Sequence, residues 1–150
     1  MITEELKKVL VRDIDRLKEE ISLYRDEQSI WKIEKEIANS GGNLCLHLIG
    51  NLKHYIGVTM GDLKFTRNRE EEFTLKNIPK AELIKMVEET REAVSRALDN
   101  TKDEELDKEY PLLVFKEKTS TVFFMIHLAA HLGYHLGQVN YHRRLVAANT

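Results

Sequence analysis

The sequence has 150 residues, 42% of them hydrophobic, and its 23 lysines and arginines nearly balance 25 aspartates and glutamates, which leaves a formal net charge of −2. This length predicts one domain, residues 1–150, and the balanced charge without any lysine- and arginine-rich run argues against a nucleic-acid partner. The single cysteine excludes an internal disulfide, and because neither a signal peptide nor an apolar run of membrane length is present, we expect a cytoplasmic protein with no membrane partner.

Two helices are predicted in the first part of the chain. Apolar residues at steps of three and four favour a helix from about residue 3 to residue 26, with Thr3 as its N-cap. A connector then ends near Asn43, which we expect to cap a second helix over about residues 44–61. Apolar residues cover most of the circumference of this second helix, so it should be the most buried one. Its glycines, such as Gly50, are costly inside a helix and indicate either a close neighbour or an early end of the helix.

The middle of the chain is polar. Residues 62–78 are predicted to form an ordered loop that carries Arg67, Arg69 and the glutamates 70–72. These charges either bind an anionic substrate tail, form a charged lid or face solvent. We favour the solvated loop, because charge runs of this kind usually lie on the surface and contribute little there.

Two more helices are predicted after this loop. Pro79 is typical of a first helical turn and starts a third helix that runs to about Asn100. An apolar patch at residues 110–115 is either a short strand or a loop over the bundle. Hydroxyl residues at 119–121 offer N-caps for a fourth helix over about residues 122–147. Four helices of this kind predict an all-α protein built as a four-helix bundle.

All six histidines lie in the second and fourth predicted helices: His47, His54, His127, His131, His135 and His142. The rings of His127, His131 and His135 form one stripe, because a step of four residues advances the helix face by only about 40°. A lone histidine on an apolar helix is usually a core residue bonded to a backbone carbonyl. Several neutral imidazoles packed together are harder to satisfy, since each needs both a donor and an acceptor.

A divalent metal ion removes that difficulty, because one ring nitrogen becomes a ligand and the other needs only an acceptor. Two histidines at spacing four can grip one ion from a helix face, and a third ligand must then come from another helix. We therefore predict that His131, His135 and His47 bind a divalent metal. Three neutral ligands leave the ion its full charge and an open coordination position, which is typical of a catalytic site.

Four residues are assigned to the surroundings of this site. His127 lies one turn further out and is placed at the rim. Gln138, three residues after His135, is predicted to bond a ligand or to orient a histidine. Asn51 and Tyr134 are candidates for the wall of the pocket.

The remaining candidates are interpreted as structural residues. His54 is interpreted as a packed or surface histidine, and Cys45 as an inert core thiol. His142 lies about 10 Å along the helix axis from His135, too far to share its ion. Leu132 occupies the place that the glutamate base takes in the H-E-x-x-H motif. No catalytic base is therefore identified.

A family resemblance is carried by the two histidine-bearing stretches. Residues Asn43 to Leu52 and His131-Leu-Gly-Tyr-His135-Leu-Gly137-Gln138 resemble the DinB superfamily, whose signature has the form H-x-x-x-H-x-G-Q. This superfamily includes YfiT-like metal-dependent hydrolases and bacterial thiol-dependent transferases. The resemblance implies a four-helix bundle of DinB/YfiT type with a crossover order of helices, and a nickel or zinc ion on His47, His131 and His135. It also implies a homodimer, which apolar residues left over on helix two favour as well.

Two functional hypotheses remain open. The first is a metal-dependent enzyme, a hydrolase or a thiol-dependent S-transferase, that acts on a small-molecule substrate; the transferase would also use a low-molecular-weight thiol. The alternative is a non-catalytic metal- or ligand-binding protein of a stress response. An open coordination position favours the enzyme, and a fourth protein ligand favours the binding protein.

Overall fold

The computed structural model describes residues 1–148 and is all-α over that range, as predicted, without a strand. Its helices are α1 (Ile2–Leu23), α2 (Glu27–Ile30), α3 (Gly41–Leu52), α4 (Arg69–Thr74), α5 (Lys80–Asp99) and α6 (Thr121–Ala148). Residues Lys53–Val58 continue α3 as a π-helix, and Asp103–Asp107 form a short 3-10 helix. None of the helices within residues 1–148 is both long and apolar enough to cross a membrane.

The four long helices form a bundle in which α1 and α3 occupy opposite corners. Helix α1 packs against α5 and α6, and α3 packs against the same two helices. Because α1 and α3 follow each other in the chain without packing side by side, residues 24–40 cross one end of the bundle. The core lies between the four helices and includes Leu10, Ile14, Ile21 and Leu48, each at most 1% exposed. Each such side chain stabilises the fold by about 1.5–3 kcal/mol on leaving water.

Helix α3 is buried along its whole length, as its apolar sequence predicts. Its N-cap is Ser40 and not Asn43, so that prediction was wrong: the Ser40 hydroxyl oxygen accepts a hydrogen bond from the Asn43 backbone N–H at 3.1 Å. The Asn43 side chain is buried, and its Nδ2 donates to the carbonyl oxygens of Glu72 at 3.0 Å and Leu75 at 2.8 Å. Asn43 therefore holds the α4 segment against the start of α3.

Helix α1 also departs from the prediction at both ends. It begins at Ile2 with Met1 as its cap, and the Thr3 hydroxyl donates to the Asp103 carboxylate at 2.7 Å and does not cap the helix. It ends at Leu23, because Tyr24 adopts an extended backbone conformation and buries its ring in the core.

The polar segment 62–78 is not a solvated loop throughout. It contains α4, which Asn68 caps by accepting a hydrogen bond from the Glu71 N–H at 3.2 Å. Glu70 and Glu71 are exposed, whereas Glu72 is only 6% exposed. The interpretation as a solvated charge run was therefore wrong for Glu72, because one side of this short helix packs against α3.

The apolar patch at 110–115 belongs to a loop whose ends meet at a single bridge between Glu109 and Ser120. Tyr110 anchors the loop, since its ring is buried and its hydroxyl donates to the Tyr55 carbonyl at 2.6 Å. Leu113 at the tip remains 62% exposed. The loop alternative, and not the strand, is thus the correct one.

Two of the long helices carry exposed large apolar side chains: Ile2, Val9 and Leu23 lie on α1, and four more lie on α6. Phe123, Ile126, Tyr134 and Tyr141 are each more than half exposed. Helix α3 has no exposed apolar residue, so self-association is favoured by the exposed apolar residues of α1 and α6 and not by those of helix two. The homodimer itself stays a prediction.

Gly137→Ala is expected to stabilise the protein by about 0.5–1 kcal/mol, because alanine favours a helix interior far more than glycine does. Gly137 lies inside α6, and a Cβ built there meets no atom of residues 1–148 within 4 Å. Urea unfolding of the parent and the variant measures the difference. A loss of stability would contradict the open surroundings of this residue.

Candidate metal centre

Helices α3 and α6 run antiparallel, which brings their histidines to the same level. At one end the Gly41 N–H donates to His142 Nδ1 at 3.2 Å, and at the other the rings of Tyr55 and Phe124 lie 5.1 Å apart. His47 lies between these two ends and therefore faces the middle of α6.

The three histidines predicted to bind a metal converge there. His47 Nε2 lies 3.1 Å from His131 Nε2, and the His135 ring centroid lies 5.2 Å from that of His47 and 4.5 Å from that of His131. One ring nitrogen from each lies within 4.8 Å of the others, so the cluster can hold a metal ion. Nitrogens that share one ion at about 2.0–2.1 Å in tetrahedral geometry are about 3.3 Å apart. Two ring nitrogens 3.1 Å apart repel each other if both present lone pairs, and a cation or a shared proton between them removes that repulsion.

Glu72 fixes the orientation of His47. Its Oε1 lies 3.0 Å from His47 Nδ1, while Arg67 Nε donates to Oε2 at 2.8 Å and Arg67 Nη2 to Oε1 at 3.0 Å. Burial alone would raise the pKa of Glu72, but the hydrogen bonds from His47 and Arg67 outweigh it and hold that pKa below its usual value. The ionised carboxylate accepts the Nδ1 proton, so the lone pair of His47 is on Nε2 and faces the cluster.

The position of Glu72 depends on the glycine at residue 50. A Cβ on Gly50 would lie 1.8 Å from Glu72 Oε2, so only glycine leaves room for the carboxylate beside α3. This close approach accounts for a residue that otherwise costs about 1 kcal/mol inside a helix. Phe73, the next residue of α4, packs its ring 5.1 Å from the ring of His47.

Gln138 plays the corresponding part for His135. Its Oε1 lies 2.7 Å from His135 Nδ1 and accepts the proton there, which leaves the lone pair on Nε2. Burial lowers the pKa of His135 despite this hydrogen bond, so the ring is neutral at pH 7. Metal-binding imidazoles in proteins usually donate their second ring N–H to such an acceptor, most often a carboxylate or a carbonyl oxygen, which fixes the tautomer.

His131 is the ring with the poorest hydrogen bonding. Burial, together with the neighbouring His135 and His47, lowers its pKa to about 4. Its Nδ1 is buried and has no hydrogen-bond partner within residues 1–148, and the same holds for Asn51 Oδ1. Asn51 follows His47 by one turn of α3. A neutral ring with Nε2 beside the His47 lone pair is suited to ligation and poorly suited to an ordinary core.

The other two residues assigned to the surroundings lie at the rim. The His127 ring is 6.2 Å from that of His131 and packs against the rings of Phe115 and Phe124. Tyr134 is 67% exposed, and its ring meets the edge of His135 at 5.2 Å.

Three residues interpreted as structural lie outside the cluster. The His54 ring packs on Tyr55 at 4.8 Å. His142 is buried near the end of α6, where its Nε2 donates to the Lys32 carbonyl at 2.8 Å and its Nδ1 accepts from the Gly41 N–H. Cys45 is fully buried, and burial raises the pKa of its thiol far above the usual value, which makes it unreactive.

His142 is expected to make the metal-free protein less stable as the pH falls. Burial lowers the pKa of His142, and a protonated Nδ1 would oppose the Gly41 N–H. The unfolded chain therefore takes up the proton first, near pH 6.5, and stability is lost below that pH by up to about 1.4 kcal/mol per pH unit. Denaturant unfolding between pH 5 and 7.5 should show a shallower pH dependence for His142→Gln than for the parent. Equal slopes would contradict this role.

The sequence alone did not reveal Glu72 and Arg67 as parts of the site. Glu72 is the last of three consecutive glutamates, and nothing in that run distinguishes the buried member from the exposed ones. The available signals were indirect: an apolar Phe73 next to it, and a glycine in the middle of α3, which indicated either a close neighbour or an early end of the helix.

The fold and the site together define an all-α bundle protein with a three-histidine cluster that can hold a metal ion. The chain belongs to the family described as "Protein of unknown function (DUF1572)", whose family model matches residues 3–150. Comparison with curated proteins gives no match.

Proposed function

We propose that this protein is a metal-dependent enzyme of the DinB type that acts on a small molecule, with Zn²⁺ or Ni²⁺ on His47, His131 and His135. The observation that carries the proposal is the composition of the cluster: three imidazoles, with no carboxylate or thiolate among the converging groups of residues 1–148. Imidazole suits both zinc and nickel. The reaction is hydrolysis, or transfer to a low-molecular-weight thiol.

The charges around the cluster support a catalytic and not a closed site. Three neutral ligands leave a dication its full charge and one position for a substrate, and such an ion lowers the pKa of water or a thiol towards neutrality. Glu72 does not reduce that charge appreciably, because Arg67 neutralises it through two hydrogen bonds. The chain's own part is to hold the rings neutral and oriented, through burial of His131 and through the bonds from Glu72 and Gln138.

Cobalt substitution tests this proposal without knowledge of the substrate. Co²⁺ bound to the full-length protein should give the visible absorption of a tetrahedral site, and added 2-mercaptoethanol should produce a thiolate-to-cobalt charge-transfer band. That band requires an open position. His131→Ala should give neither spectrum. Bound cobalt whose spectrum does not respond to a thiol or to azide would contradict the enzyme and favour the non-catalytic binding protein.

A further inference from the structure

A cavity of about 430 Å³ lies between the connection after α2 and the last turns of α6. Its walls include Ile37, Asn39, Leu44, Gln138, Tyr141 and Leu145. The rim is open to solvent, since Tyr141 is 73% and Ile37 38% exposed. Cavities that bind small molecules in proteins have volumes of about 300–1,000 Å³.

The chemistry of the walls selects against a charged ligand. None of the described residues that line the cavity is aspartate, glutamate, lysine or arginine. His142 also lines it, but both ring nitrogens of His142 are already bonded within the protein, to Lys32 and to Gly41 and Tyr24. The remaining polar groups are the amides of Asn39 and Gln138 and the phenol of Tyr141. Aliphatic and aromatic walls with a few neutral polar groups suit a neutral ligand with an apolar body.

Residues of the cavity wall lie next to the histidine cluster, and one of them contacts it directly. Gln138 forms part of its wall and also bonds His135 Nδ1 at 2.7 Å. Leu44 forms another part and lies one turn before His47 on α3. A molecule in the cavity therefore contacts the same side chain that orients one of the three histidines.

We propose that this cavity binds the apolar body of a neutral small-molecule substrate, with Gln138 and Asn39 as its hydrogen-bonding groups. That the bound molecule is a substrate rests on the proposed function. That the cavity binds a neutral apolar molecule rests on the cavity alone. It narrows the substrate class to uncharged compounds with an aliphatic or aromatic portion.

The test uses N-phenyl-1-naphthylamine, a neutral aromatic probe whose fluorescence rises in apolar surroundings, with the zinc-loaded full chain. Ala38→Trp at the cavity wall and Ile37→Asp should each weaken probe binding by about tenfold or more, through blockage and through an introduced charge. The matched controls are Ala81→Trp and Val9→Asp, which change exposed residues outside the cavity and should leave binding unchanged.

Zinc content, measured in the same samples, separates failure of this inference from failure of the proposed function. Probe binding that ignores both cavity variants, or that disappears as the protein concentration rises because a second copy covers the cavity, overturns the inference. The Gln138–His135 bond should couple probe binding in the cavity to zinc binding at the histidines. Equal probe affinity with and without zinc would therefore overturn the link between the cavity and the metal site. A protein that binds the probe in the cavity but no metal supports the ligand site and contradicts the enzyme.

Discussion

Alanine in place of His47, His131 or His135 is expected to remove stoichiometric metal binding. Two neutral imidazoles remain in each variant, and α6 carries no carboxylate that would replace the missing ligand. Zinc affinity should fall by more than about 100-fold, beyond the range typical of residues that only support a ligand. Competition with a chromophoric chelator measures the affinity, and circular dichroism checks that each variant is folded.

His54→Ala is the matched control, because His54 follows α3 in its π-helical continuation, is half-buried and lies outside the cluster. It should retain a full equivalent of zinc. His127→Ala should change the affinity without eliminating the ion, since its ring lies 6.2 Å from that of His131. If His47→Ala kept a full equivalent, the third ligand would be wrongly assigned, and His127 would replace it.

Glu72→Gln is expected to lower zinc affinity by about 10–100-fold, the usual effect of losing the acceptor behind a histidine ligand. The amide can present an N–H to His47 Nδ1, which favours the wrong tautomer. The variant also leaves Arg67, whose side chain is 11% exposed, without its counter-charge, so stability should fall by about 3 kcal/mol. Isothermal titration with zinc and urea unfolding measure the two effects separately.

Two further variants distinguish orientation of His47 from general damage. Glu71→Gln changes the exposed neighbour on α4 and should alter neither quantity. Adding Arg67→Met to Glu72→Gln removes the stranded charge and should recover stability but not zinc affinity. Affinity that recovers together with stability would show that Glu72 acts only through the fold.

The helical fold and the convergence of the three histidines were the most predictable features. Spacing of four on an apolar helix indicated His131 and His135, and the apolar character of helix two indicated that His47 would face them. The spacing of histidines and the apolar faces are properties of single helices, so the periodic pattern of the sequence is enough to predict them. The same reasoning placed Gln138, three residues from His135, within reach of a histidine.

What the sequence did not predict depends on contacts between distant segments. Asn43 looked like an N-cap, yet its amide bonds carbonyls of residues 72 and 75, and Ser40 takes the cap. The inward orientation of Glu72 depends on how α4 docks onto α3 beside Gly50. No local pattern fixes that docking, so a buried carboxylate behind His47 could not be distinguished from two solvated glutamates.

Elemental analysis of the protein purified without a metal-affinity tag tests the central claim most directly. After equilibration with micromolar zinc and removal of the excess, the parent should retain about one equivalent per chain, and His131→Ala should retain none. Equal metal content in the two folded proteins, or none in the parent, would contradict a metal centre at His47, His131 and His135.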